Sequence, residues 1–70
     1  MSDSLVITVN GERREMASGA TVLDLLRELR LDSGLVAIER NQEILPRARW
    51  VDSRIQPDDS FEIVQFVGGG

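Results

Sequence analysis

Cysteine and histidine are both absent from the 70 residues of this chain. That removes disulfides, thiolate nucleophiles, zinc or haem ligation by the usual donors, and every Ser-His or Cys-His relay. Lysine is missing too, so the eight basic residues are all arginine; they face twelve acidic ones, for a net charge of −4. Binding a phosphate backbone needs a clustered positive face, which this composition does not supply, and no nucleic-acid partner is expected. No apolar run approaches the roughly 18 residues of a membrane span. The opening Met-Ser-Asp-Ser has neither a basic nor an apolar segment behind it. The expectation is one small domain over residues 1–70, off the membrane, cytoplasmic and monomeric when free. A core this small engages most of its apolar residues, leaving few to line a deep pocket.

The residues that are present alternate between strand and turn signals. Leu5 to Val9 is β-branched and ends at Asn10-Gly11, the pair best suited to the positive φ angles of a two-residue hairpin turn. The return strand, Glu12 to Met16, carries four charges and suits a sheet edge. After the turn Ala17 to Ala20, Thr21 stands three residues before Asp24, which predicts a reciprocal cap at a helix start. Val22, Leu25, Leu26 and Leu29 follow the spacing of one buried helix face. Gly34 is the expected left-handed stop. Leu35 to Ile38 then reads as a third strand, turning at Asn41-Gln42 into Glu43 to Leu45, which Pro46 closes. Arg47 to Gln56 shows no clear period; one short helical turn is expected there, with Trp50 and Ile55 anchored in the core. Pro57 to Ser60 is a turn signal, and Phe61 to Val67 is the strongest strand signal. The order is ββαβββ, an α+β fold in which one helix covers one face of a mixed sheet and leaves the other face to water or a partner.

Gly68, Gly69 and Gly70 follow the last strand directly. Glycine adds no burial and loses the most entropy on ordering, so a flexible tail at 68–70 is expected to project from a rigid strand. A tail without Cβ atoms passes through a narrow channel and leaves its last carbonyl open to attack. The plainer alternative is a frayed terminus or a cloning remnant. A phosphate loop is excluded, because no GxxxxGK run occurs and no helix follows the glycines.

Taken together, Asn10-Gly11, Thr21 to Leu26, Val36 to Asn41, Ile44 to Arg47 and Phe66 to Gly70 resemble the thiamine-biosynthesis sulfur carrier family, ThiS, over nearly the whole chain. The resemblance implies a β-grasp, ubiquitin-like fold and a carrier rather than an enzyme. It also implies that a ThiF-type adenylyltransferase activates the Gly70 carboxylate with ATP and magnesium, the carrier itself binding no cofactor. A sulfur donor enzyme would then yield a thiocarboxylate, and a ThiG-type thiazole synthase would accept the sulfur. The family's defining end is Gly-Gly, and a third glycine stands here.

Alternation along the last strand puts Phe61 and Ile63 toward the helix, and Glu62, Val64 and Phe66 on the open face. Val64, Phe66 and Val67, with Gly68 and Gly69, are therefore the candidate binding residues, unless a bulge buries Phe66. Asp58, Asp59 and Glu62 read either as solvated charges or as an acidic rim that orients a basic partner. Arg40 and Arg47 read as surface or locally paired residues. Three other readings stand beside the ThiS one. The small subunit of molybdopterin synthase also ends in Gly-Gly, but the Pro-Pro pair typical just before its tail is missing here. A ubiquitin-like modifier would be conjugated through Gly70 to lysines of its targets, and a plain interaction domain would have an irrelevant tail whose removal leaves its function intact.

Overall fold

A computed structural model describes residues 3–66. The expected tail at 68–70, and with it Gly68, Gly69, Gly70 and Val67, lies outside the described residues. Five strands and one helix follow in the order β1 (Ser4–Val9), β2 (Glu12–Ala17), α1 (Val22–Leu29), β3 (Val36–Arg40), β4 (Glu43–Ile44) and β5 (Ser60–Gln65). The strands form a single mixed sheet ordered β2-β1-β5-β3-β4. The chain's last strand is therefore its middle one, parallel to β1 and antiparallel to β3. The charged strand β2 lies at the edge, as its composition requires.

Local chemistry accounts for each element. Asn10 and Gly11 take φ angles of 51° and 83°, which turns β1 back into β2 with Val9 opposite Glu12. Asn41 and Gln42, at 52° and 72°, repeat the turn between β3 and β4. At the helix start the Asp24 amide donates to Thr21 Oγ1 at 3.2 Å, and the Thr21 amide donates to Asp24 Oδ2 at 2.9 Å. Two otherwise orphaned donors are thereby satisfied. Carbonyls of the irregular segment satisfy others: Val22 N–H donates to Ser53 O at 3.0 Å and Leu23 N–H to Trp50 O at 3.2 Å.

The helix stops four residues earlier than the sequence suggests. Arg30, not Gly34, takes the left-handed conformation, at φ 58° and ψ 40°. Leu31 N–H reaches back to Leu26 O and Arg30 N–H to Arg27 O, both at 3.1 Å, the bond pair of a helix end closed by a left-handed residue. That closure turns Leu31 against the core, and the gain from burial outweighs the strain at Arg30. Gly34 falls instead in a 3-10 turn, Ser33–Leu35, where its N–H donates to Asp32 Oδ1 at 2.8 Å. Leu35 belongs to that turn rather than to β3.

One layer of core lies between helix and sheet: Ile7, Val9, Met16, Val22, Leu25, Leu26, Val36, Ile38, Trp50, Ile55, Phe61 and Ile63. Trp50 and Ile55 are its anchors from the irregular segment, whose single turn is 3-10 at Arg47–Arg49. The Trp50 indole is satisfied by donating to Leu45 O at 2.9 Å.

Candidate functional site

Of the sequence-predicted binding residues, Val64 lies on strand β5 and Phe66 just past its end, and the start of that strand is fixed by a buried carboxylate. Asp59 is 5% exposed and accepts from Arg40 Nη2 at 2.7 Å, Arg40 Nε at 3.0 Å, Asn41 Nδ2 at 3.1 Å and Gln56 N–H at 2.8 Å. A buried charge is tolerated when it is paired and fully hydrogen-bonded, as it is here. Arg40 also donates to Arg54 O at 2.9 Å and lies over the Phe61 ring. Asp59 is thus unavailable as part of an acidic docking rim; it ties the turn at 57–60 to the β3–β4 hairpin. Asp58 and Glu62 remain exposed. Arg40 is locally paired, and Arg47 lies over the Trp50 ring at 5.5 Å.

Beyond Asp59, strand alternation divides β5 as its sequence implies. Phe61 and Ile63 are buried against the helix, whereas Val64 and Phe66 are 57% and 54% exposed on the opposite face. Phe66 is not buried by a bulge. Its N–H donates to Leu35 O at 2.7 Å, so the turn that precedes β3 holds the chain as far as the last described residue. Register then adds residues that the sequence did not single out. Ala37 lies opposite Val64, and Ile44 lies opposite Glu39 one strand further out. Ile44 is 79% exposed although it sits within a strand. Val64, Phe66, Ala37 and Ile44 make an apolar patch beside the end of β5, of the kind that marks a protein-binding surface. An exposed isoleucine on a two-residue strand is visible in sequence; its nearness to Val64 is not, because that depends on β3 running between them.

At one end of the patch, Glu39 and Glu62 face each other directly across β3 and β5. Both are exposed, and among the described residues neither has an ion-pair partner. Like charges so placed repel, and the pair leaves the patch electronegative. Among the described residues no cluster of three or more acidic side chains is placed to hold a metal ion, and no helix is long and apolar enough to cross a membrane. Chemically, then, β5 and the Phe66 beyond it offer an exposed apolar surface bordered at one end by an acidic pair, two residues before the glycines in sequence.

The ThiS family model matches residues 7–70. The chain is 44% identical over 64 residues to a thiazole synthase of Paramagnetospirillum magneticum, covering 91% of this chain but 20% of that protein. Against the sulfur carrier protein ThiS of Escherichia coli it is 33% identical over 64 residues, covering 91% and 97% of the two. The crystal structure of the thiamine biosynthesis protein ThiS of Geobacter metallireducens superposes with a TM-score of 0.74 at 31% identity, covering 94% of this chain and 100% of the other. The chain thus spans about a fifth of the thiazole synthase and nearly all of the carrier protein. Its element order is the β-grasp arrangement, and by sequence match and by architecture the chain belongs to the ThiS family.

Proposed function

We propose that this chain is a sulfur carrier of thiamine biosynthesis, acting as a substrate of other enzymes rather than as an enzyme. The observation that carries the reading is the exposed apolar surface of Val64 and Phe66, which in sequence stands two residues before Gly68-Gly69-Gly70. The family match and the sulfur carrier protein of Escherichia coli support it. In this reading a ThiF-type adenylyltransferase docks on that surface and draws the glycines into its channel. The Gly70 carboxylate attacks the α-phosphate of magnesium-bound ATP, and pyrophosphate leaves. The acyl adenylate so formed has a good leaving group, so hydrosulfide released by the donor enzyme attacks its carbonyl carbon, the bond to the AMP oxygen breaks and AMP departs, and loss of the sulfur's proton leaves a thiocarboxylate. The carrier contributes reach and docking; the partner supplies the electrostatics. The acceptor is a ThiG-type thiazole synthase, a pairing supported by the thiazole synthase that contains a segment like this chain.

The intact mass tests the reading. With activating enzyme, MgATP and a sulfur donor, one oxygen of Gly70 is exchanged for sulfur and the rest of the chain stays unmodified. Adding a bulky residue after Gly70 abolishes both pyrophosphate release and the mass change, because it moves the carboxylate out of near-attack geometry. Full activity of the extended, unprocessed variant would overturn the proposal.

A further inference from the structure

The two hairpin turns are built alike, and each presents an asparagine to β5. Asn41 donates its N–H to Ser60 O at 2.7 Å and accepts from Ser60 N–H through Oδ1 at 3.0 Å. Asn10 donates its N–H to Phe61 O at 2.8 Å. Its carboxamide then takes both backbone groups of Ile63: Oδ1 accepts from Ile63 N–H at 2.8 Å, and Nδ2 donates to Ile63 O at 3.2 Å. The turn itself needs only a positive φ, which glycine supplies without a side chain. The carboxamide therefore does something the turn does not require.

What it does follows from the register. The parallel ladder between β1 and β5 consists of Thr8 with Ser60 and Val9 with Phe61, after which β1 reverses into the hairpin. Past Phe61, β5 would be held on one side alone, by β3. Phe66 N–H points to the β3 side of the sheet, at Leu35 O in the turn just before that strand. Alternation then directs the amides of Glu62 and Val64 to the same side, and those of Ile63 and Gln65 toward the side β1 has left. The Asn10 carboxamide stands in at Ile63 for the missing strand residue. Val64 follows Ile63 directly, and Phe66 lies two residues further along the same face. We propose that Asn10 is a positioning residue for partner docking. It acts through the β5 backbone and keeps the exposed pair Val64 and Phe66 coplanar with Ala37 and Ile44. This rests on the sulfur-carrier reading and deepens it by naming what aligns the docking surface.

The test uses the full chain with a ThiF-type enzyme and MgATP, following pyrophosphate release against carrier concentration. Asn10→Gly keeps the positive φ and removes the clamp; Asn10→Asp keeps the turn and the acceptor but loses the donor to Ile63 O. The KM for the carrier rises about tenfold in Asn10→Gly and by a smaller factor in Asn10→Asp, with kcat within about twofold of wild type in both. Amide exchange at Ile63 accelerates in step with KM, while exchange in the β1–β2 hairpin is unchanged. An accelerated Ile63 amide at unaltered KM, or a fall in kcat at unaltered KM, would show that Asn10 serves only the sheet, and would overturn the proposal. If Asn10→Gly fails to fold, the KM of Asn10→Asp decides by the same criteria. Wild-type chain that releases no pyrophosphate would overturn the sulfur-carrier reading itself, and the docking proposal with it.

Discussion

The Asp24 carboxylate is held below its ordinary pKa of 3.8, chiefly because the Thr21 amide donates to it and then because the Thr21 hydroxyl is bonded in the same cap. The Arg27 guanidinium, 3.7 Å away, adds to the lowering, and partial desolvation opposes it. A depressed folded pKa means that the ionised form stabilises the fold. The contribution is present above the unfolded pKa and is lost as pH falls through the folded one. Melts of wild type and Asp24→Asn are expected to differ near neutral pH, with wild type more stable, and to converge on acidification below about pH 3.8. A gap that is constant or widens toward acid would contradict the role of the charge. This cap was legible in the sequence because its partners are three residues apart. Asp59 was not, because its partners Arg40 and Asn41 are some twenty residues away and meet it only once β5 lies against β3. An aspartate beside a turn carries the same local signal whether it is solvated or buried.

Elements show the same division between near and far causes. The hairpins, the edge strand β2, the helix start and the faces of β5 follow from patterns within each segment. The helix end does not. Gly34 carries the stronger intrinsic signal, yet Leu31 has a core contact to gain, and tertiary burial placed the left-handed residue at Arg30. An L-residue in that conformation costs roughly 1 kcal/mol, which glycine avoids. Arg30→Gly is therefore expected to stabilise the protein by about 0.5 to 1 kcal/mol, a rise of several degrees in Tm for a domain of this size. Thermal melts or urea titrations check it, and an unchanged or lowered midpoint would mean that Arg30 contributes more than its backbone strain costs. The segment from Arg47 to Gln56 lacked a period for a related reason. Its backbone serves other elements, with carbonyls of Trp50 and Ser53 accepting from the helix start and Ile55 N–H donating to Ala20 O, and bonds of that kind impose no repeat.

At the scale of the whole molecule, one amphipathic helix can cover only one face of a five-stranded sheet, so the fold has a dry face and an open one by construction. β5 serves both faces, because alternate residues of the same strand hold the core together and present the exposed apolar patch. Phe61 and Phe66 separate the two roles with the same side chain. Phe61 is 1% exposed, and Phe61→Ala is expected to cost roughly 3 to 5 kcal/mol, close to the whole stability of so small a domain. Phe66→Ala is expected to change stability by no more than about 0.5 kcal/mol, as surface substitutions do, while weakening binding of the activating enzyme by about 2 kcal/mol. Thermal melts and titration calorimetry on the two variants supply the comparison. On the open face the Val64–Ala37 pair separates Phe66 from the acidic pair Glu39 and Glu62, so the binding loss should persist at high salt, where an effect carried by those charges alone would fade. A Phe66→Ala variant that melts as early as Phe61→Ala would assign Phe66 to the core, and one that binds the activating enzyme as tightly as wild type would remove Phe66 from the proposed docking surface.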